Sequence, residues 1–268
     1  MIDTLHPGKI YHRNITGMSQ MDYIAYIPRE RRDETKIMYT IHGISRNALE
    51  HIQGFVPQAE RYGSVMIAPV FLRNNFPRYQ QLGTSANQER ADMAFNNILQ
   101  DVQEWLDLPP APIHMFGFSG GGQFAHRYAM FYPKKVARMV LSAPGWYSFP
   151  DPEQKYPYGI KSSRDWPKLS FAMDRFLQIP TLILVGEEDD LRDADLNKAR
   201  AIDAYQGLNR IERAEHWAAA AKAMGRSYDI STDFRLEQVP NASHAYESYM
   251  AHPPFAENVF DFLFDDRI

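Results

Sequence analysis

Short apolar runs alternate with amphipathic segments along most of the chain after residue 41. The apolar runs have the length of β-strands and lie at residues 65–70, 113–116, 137–141, 181–185 and 234–239. Between two of them, Phe95, Ile98 and Val102 recur at helical spacing and fall on one face of a helix. Because strands alternate with helices in α/β proteins, this pattern predicts a mostly parallel sheet flanked by helices.

The first and last parts of the chain depart from this alternation. Residues 23–28 and 36–41 are predicted strands, and the charged stretch 29–35 between them predicts an antiparallel pair. The helix expected after His42-Gly43 contains Pro57, which predicts that this helix begins near Pro57 or is kinked there. Residues 246–264 are predicted to form one closing helix.

Two irregular stretches interrupt the pattern. Residues 71–83 are rich in Asn, Pro, Arg and aromatic residues and are predicted to be a loop. Residues 145–178 are rich in aromatic residues and proline, and we interpret them as a short cap-like insertion over a pocket, with a surface excursion anchored by its aromatic side chains as the alternative. These aromatics predict a mainly apolar pocket, in which Arg46 or Arg73 could contact an anionic group.

Length and composition limit the function classes. A chain of 268 residues with 44% hydrophobic residues is expected to form a single globular domain over 1–268. The net charge of −4, without basic blocks, makes nucleic acid an unexpected partner. No signal-peptide pattern and no apolar run of membrane-spanning length occurs, so we expect a cytoplasmic protein without stable membrane association. The absence of cysteine excludes thiolate chemistry and disulfides.

One pentapeptide carries candidate chemistry. Gly117-Phe118-Ser119-Gly120-Gly121 matches the pattern G-x-S-x-G and lies between a predicted strand and a predicted helix, which is the setting of a nucleophilic serine. The sharp turn requires residues without bulky side chains at positions 117 and 121. Ser119 is therefore the candidate nucleophile, and a glycine-serine turn without chemical importance is the alternative interpretation.

A serine nucleophile needs a base, and the base needs a carboxylate to orient it. His244 follows the last predicted strand in a loop of small residues, whereas His114, His126 and His216 lie within predicted strands or helices. Asp189 follows the strand at residues 181–185, three residues after a glycine, and is preferred over Asp190. Glu187, Glu188 and Asp193 are the other candidates in this loop. No histidine and acidic cluster indicates a metal.

The loop after the strand at residues 36–41 is the candidate site of oxyanion binding. His42-Gly43-Ile44 places a backbone N–H of Ile44 where it could act together with the N–H of Gly120. We expect His42 to support this loop rather than to act as a base.

These residues, in the order oxyanion loop, Ser119, Asp189, His244, resemble the α/β-hydrolase superfamily. His42-Gly43 followed by Arg46-Asn47-Ala48 is similar to the esterase, feruloyl-esterase and polyhydroxyalkanoate-depolymerase-like branch. The resemblance implies the α/β-hydrolase fold, with about eight strands in a mostly parallel sheet, and hydrolysis of an ester without a cofactor.

The function predicted from the sequence is therefore cleavage of a small-molecule carboxylic ester through an acyl-enzyme on Ser119. The same triad could instead cleave an amide, thioester or peptide bond, or transfer the acyl group to another alcohol. A non-catalytic binding protein that keeps the hydrolase fold is the alternative from another class. The sequence leaves the oligomeric state open.

Overall fold

One eight-stranded sheet runs through the protein. The structure, a computed structural model, describes residues 6–15, 21–31, 36–83, 90–166 and 169–265. The strands are β1 (Lys9–Ile15), β2 (Met21–Ile27), β3 (Ile37–Ile41), β4 (Val65–Val70), β5 (Ile113–Phe118), β6 (Val136–Ser142), β7 (Thr181–Gly186) and β8 (Phe234–Val239). Their order in the sheet is β1-β2-β4-β3-β5-β6-β7-β8. In this order, each neighbouring pair from β4 to β8 is parallel, whereas β1-β2 and β2-β4 are antiparallel. This confirms the predicted fold class of a mostly parallel sheet.

Helices cover both faces of the sheet. They are α1 (Ala48–Tyr62), α2 (Ala91–Leu106), α3 (Gly120–Phe131), α4 (Met173–Phe176), α5 (Arg200–Gln206), α6 (Arg210–Ser227), α7 (Tyr246–Met250) and α8 (Pro253–Phe264). Alternate residues of β3 point to opposite faces, so Met38 packs with α1 and α8 while Tyr39 packs with α2 and α3. The parallel strands are buried on both sides, which explains their continuous apolar sequence.

The antiparallel pair predicted for the start of the chain is wrong in its partners. β2 pairs antiparallel with β1, which the sequence analysis missed, and with β4; β3 pairs with β4 and β5 instead. Six of the seven residues of β2 are buried. The backbone N–H and C=O groups of a buried strand need partners, so both edges of β2 require a neighbouring strand. An isolated hairpin with β3 would pair only one of the two edges.

Two predicted helices differ from the observed ones. Helix α1 begins at Ala48, where the Asn47 side chain accepts from the N–H of Glu50, and it continues through Pro57. The closing helix is two helices, α7 and α8, because the consecutive prolines at 253 and 254 cannot continue a helix from the preceding turn.

Three aromatic residues of segment 145–178 pack against the end of α3. The ring of Phe131 lies 5.6 Å from Tyr156, 5.2 Å from Trp166 and 5.0 Å from Phe171, measured between centroids. Apart from α4, the described part of this segment is irregular. Its role as a cap over a pocket stays a prediction.

Candidate active site

Ser119 occupies the turn between β5 and α3 in a strained backbone conformation. Its φ of 52° and ψ of −113° lie in a region that residues with a side chain rarely adopt. A β-carbon at Gly121 would clash with the carbonyl oxygen of Ile41, and one at Gly117 would clash with the carbonyl of Gly121. Glycine at both positions therefore lets the turn fit against the neighbouring strand, and the turn presents the serine hydroxyl beyond the end of β5.

The structure brings Ser119, His244 and Asp189 into one hydrogen-bonded chain. Ser119 Oγ lies 3.0 Å from His244 Nε2, and His244 Nδ1 lies 2.9 Å from Asp189 Oδ2. Since the Asp189 carboxylate accepts from Nδ1–H, Nε2 of a neutral imidazole is free to accept the serine proton. The ring of His244 stacks on Phe118, with 5.6 Å between centroids. Each member follows its own strand, as the sequence analysis expected.

The loop that carries Asp189 is tied to the loop that carries His244. The N–H of Glu188 donates to Ala242 O at 2.9 Å, and the N–H of Asp189 donates to Gly186 O at 3.1 Å. The Asp189 side chain is 1% exposed, whereas Asp190 is an exposed residue. Asp189 thus meets the geometric requirement of the third position, and Asp190 does not.

One further residue, Arg210, holds Asp189 from the other side and also pairs with Asp193. Arg210 Nη1 donates to Asp189 Oδ1 at 3.1 Å and to Asp193 Oδ2 at 2.8 Å. The sequence analysis missed Arg210 because an arginine at the start of a helix, 21 residues beyond the aspartate, gives no local signal of this contact.

The loop that carries Gly43 and Ile44 lies close to Ser119 and to the start of α3 at Gly120. A β-carbon built on Gly120 would lie 3.4 Å from Ile44 N, so the two loops approach closely. Among the described residues, no acceptor is found for the backbone N–H group of Ile44 or for that of Gly120. Gly120 also begins α3, where the helix dipole favours negative charge. Both groups can therefore donate to an oxyanion formed at the serine.

His42 supports the oxyanion loop. Its Nδ1 donates to Gly43 O at 2.8 Å, and its Nε2 accepts from the N–H of Phe71 at 3.1 Å, which fixes a neutral ring. Burial lowers the pKa of His42 to about 4. The Tyr79 hydroxyl donates to His42 O at 2.8 Å. The oxyanion loop, which lies beside Ser119 in space, is thereby held by His42 and by Tyr79.

His126 is also held neutral, away from Ser119. Its Nδ1 lies 2.9 Å from Gly122 O, and the N–H of Ser148 donates to Nε2 at 3.0 Å. Burial, followed by the charge of Arg127, lowers the pKa of His126 well below its ordinary value. His126 therefore packs the interior behind the nucleophile turn.

A cavity of about 310 Å³ opens beside Ser119 and His244. It is lined by Gly43, Ile44, Ser45, Asn47, Glu50, His51, Phe118, Ser119, Asp195, His244, Tyr246 and Glu247. The prediction of a mainly apolar pocket is wrong for this cavity, because Glu50, Asp195 and Glu247, here called the cavity carboxylates, contribute acidic groups. They come from separate segments of the chain, so their proximity could not be read from the sequence.

The cationic residues expected near the pocket do not line this cavity. The Arg46 guanidinium donates to the carbonyl oxygens of Phe71 and Phe76, and it stacks over the ring of Tyr79 with 5.0 Å from Cζ to the centroid. Arg73 is likewise not among the lining residues. Burial, followed by the charge of Glu247, raises the pKa of Glu50. The potential at this cavity is therefore negative when its carboxyl groups are ionised.

Neither a metal centre nor a membrane helix is found in the part of the chain that the structure describes. No group of three His, Cys, Asp or Glu side chains there could hold a metal ion. Within the same ranges, no helix is both long and apolar enough to cross a bilayer.

Two comparisons of the sequence find similarity to proteins with an α/β-hydrolase domain over part of the chain. A family model described as alpha/beta hydrolase fold matches residues 75–178. The curated protein abhydrolase domain-containing protein abhd-5.2 of Caenorhabditis elegans is 26% identical over 119 residues. That match covers 44% of this chain and 24% of the relative, so the aligned region spans about a quarter of the relative's length.

Solved structures match nearly the whole chain. Poly(aspartic acid) hydrolase-1 from Sphingomonas sp. KT-1 superposes with a TM-score of 0.81 at 24% identity, covering 96% of this chain and 100% of that one. The poly(3-hydroxybutyrate) depolymerase LpqC from Bordetella parapertussis has a TM-score of 0.77 at 23% identity, covering 93% and 85%. At these identities the likeness establishes a shared fold.

Proposed function

The chain has the α/β-hydrolase fold, and from this premise we propose that it is a serine hydrolase that cleaves a carboxylic ester of a small molecule. The observation that carries the proposal is the continuous chain from Ser119 Oγ through His244 to the buried Asp189 carboxylate, at 3.0 and 2.9 Å. A hydroxyl becomes a competent nucleophile when an oriented base can take its proton. The cavity beside Ser119 leaves room for the substrate.

The reaction follows from these positions. Ser119 Oγ attacks the ester carbonyl carbon while His244 Nε2 takes the hydroxyl proton, and Asp189 stabilises the imidazolium that forms. The N–H groups of Ile44 and Gly120 donate to the oxyanion of the tetrahedral intermediate. His244 then gives its proton to the leaving alcohol, which leaves an acyl group on Ser119. Water, deprotonated by His244, releases the acid and restores the serine.

A fluorophosphonate probe tests the nucleophile directly. We expect the purified protein to be labelled stoichiometrically and the label to map to Ser119, because an activated serine attacks the phosphorus atom. The variant Ser119→Ala should remain folded by circular dichroism and take up no label. Intact-protein mass spectrometry followed by peptide mapping measures both results.

The same experiment separates the alternatives. A folded wild-type protein that takes up no label and hydrolyses no nitrophenyl ester would contradict the proposal and favour a binding protein that retains the fold. Labelling without ester turnover would direct the search to amides, thioesters, peptide bonds or acyl transfer. A panel of nitrophenyl esters of increasing acyl length measures the size of the acyl site.

The cavity carboxylates predict how the substrate's charge affects the rate. At pH 8 and low salt, we expect kcat/KM for an ester with a quaternary-ammonium leaving group to exceed that for a matched carboxylate-bearing ester by about 10-fold or more, because the negative potential attracts cations and repels anions. Raising the ionic strength should reduce the ratio. Fixed-time assays that quantify the released acid measure kcat/KM for both esters in the same way.

A double variant controls for the source of this preference. Glu50→Gln with Glu247→Gln should lower the cation-to-anion ratio toward one while leaving a neutral ester's kcat/KM within about twofold, since only the charge term is removed. A wild-type preference for the anionic ester would contradict this prediction. Such a preference would instead favour an anionic substrate, like the poly(aspartic acid) in the name of the Sphingomonas hydrolase.

A further inference from the structure

Arg210 contacts the oxygen of Asp189 that His244 does not use. Arg210 Nη1 lies 3.1 Å from Asp189 Oδ1, whereas His244 Nδ1 lies 2.9 Å from Oδ2. The side chains of Arg210 and Asp189 are each 1% exposed. An ion pair between two buried groups is little screened by solvent, so the guanidinium charge acts strongly on the carboxylate.

Asp193 shares the same guanidinium. Arg210 Nη1 donates to Asp193 Oδ2 at 2.8 Å and Nη2 donates to Oδ1 at 3.2 Å, which is a two-point contact. Burial acts to raise the pKa of Asp193, but the hydrogen bonds and charge of Arg210 hold it below its ordinary value. Arg210 therefore divides its charge between one buried carboxylate and one carboxylate that is 33% exposed.

The position of Arg210 is set by a helix rather than by a loop. Arg210 is the first residue of α6, and the side chain of Asn209 caps this helix by accepting from the N–H of Glu212 at 2.9 Å. Helix α6 packs on β7 and β8, the strands that lead to Asp189 and His244. A guanidinium fixed on this rigid element limits the rotation of the Asp189 carboxylate.

We propose that Arg210 is a positioning residue of the triad, which aims the Asp189 carboxylate at His244 and offsets part of its negative charge. This inference rests on the proposed function, because it assigns a role within that triad. With His244 neutral, the group formed by Asp189, Asp193, Arg210 and His244 carries a net charge of −1. It becomes neutral when His244 takes the proton of Ser119.

Other ionisable groups face the pair and keep the local charge negative without Arg210. Asp193 interacts with the charge of His244, and the cavity carboxylates and His51 line the space beyond the ring. The hydroxyls of Tyr147 and Tyr249 approach Asp189, and burial raises the pKa of both. These tyrosines therefore stay uncharged over the pH range of activity. Arg213, one turn further along α6, pairs with Asp203, so Arg210 is the cation in contact with Asp189.

Opposite charge changes test the inference. In Arg210→Gln, the acid limb of the kcat/KM profile against pH should move up by about one pH unit, because loss of the cation favours protonated His244. In Asp193→Asn, the limb should move down by about half a pH unit, because an anion is lost. Arg210→Lys should restore the position of the limb but not the full kcat, since an ammonium cannot reproduce the guanidinium geometry.

A structural role alone would lower kcat without moving the limb. The inference is overturned if folded Arg210→Gln keeps the wild-type limb, or if Arg210→Gln and Asp193→Asn move it in the same direction. Should Arg210→Gln fail to fold, the direction of the Asp193→Asn shift decides. The same comparison is made without turnover by following the His244 ring through a pH titration by NMR in the Ser119→Ala background. An inactive wild type would therefore contradict the proposed function, while the ring titration would still decide the role of Arg210.

Discussion

Replacing Asp189 by asparagine is expected to lower kcat for an ester substrate by about 10⁴-fold. The asparagine side chain has nearly the same shape, but it carries no charge to stabilise the imidazolium and can present an amide N–H to His244 Nδ1. That contact would favour the tautomer whose Nε2 is protonated and cannot accept from Ser119. The protein should remain folded, because Arg210 keeps its two-point contact with Asp193. Steady-state kinetics with a nitrophenyl ester measure the loss.

The neighbouring aspartate is the matched control for this change. Asp190 is exposed and makes no contact with His244 in the described structure, so Asp190→Asn should leave kcat within about twofold. If Asp190→Asn instead caused the large loss while Asp189→Asn remained active, the assignment of the third triad position would be wrong. Fluorophosphonate labelling rates of the two variants should follow the same order.

The candidate site could be predicted from the sequence where each signal is local. Ser119 lies in a strand-turn-helix unit whose glycines are close together in the chain, and Asp189 and His244 each lie in the loop after a predicted strand. Parallel strands of one sheet end on the same side, so loops after different strands meet there. The parallel part of the sheet, from β3 to β8, follows from the same alternation of apolar runs and helices, whereas β1 gave no such signal.

What the sequence could not supply depends on contacts between distant segments. β2 and β3 are successive strands, yet β4 lies between them, because strand pairing depends on which edges remain to be covered rather than on chain order. The approach of Arg210 to Asp189 joins the start of α6 to the loop after β7. The same reason hid the cavity carboxylates, whose acidic character becomes visible only when three segments are brought together.

Acidification from pH 7 to pH 5 is expected to lower the free energy of unfolding by on the order of 5 kcal/mol. His42, His51 and His126 are each 2% exposed or less. Burial lowers the pKa of His42 to about 4 and that of His51 to about 3, and it lowers the pKa of His126 well below its ordinary value. An unfolded chain titrates its histidines near pH 6.5, so between about pH 6.5 and 4 the unfolded state binds up to three more protons than the folded state.

The sign follows from this difference in bound protons. Because the unfolded state takes up more protons, stability is fully present above pH 6.5 and falls as the pH decreases, by about 2 kcal/mol per histidine at pH 5. That total is comparable with the whole stability of an ordinary domain, so unfolding in mild acid is the expected observation. Urea unfolding at pH 7.5, 6.0 and 5.0, followed by tryptophan fluorescence, gives the slope of stability against pH.

Single variants assign that slope to the buried rings. His51 stacks on Tyr246 at 4.4 Å between centroids, and its Nδ1 lies 2.9 Å from Thr40 Oγ1. His51→Gln removes one buried titrating group, so the slope between pH 7 and 5 should fall by about a third, whatever the variant's stability at pH 7.5. His12→Gln is the matched control at an exposed position and should leave the slope unchanged. A wild-type stability that does not change over this range would show that the buried histidines accept protons in the folded state as readily as in the unfolded one, which would contradict the burial that fixes His42 behind the oxyanion loop.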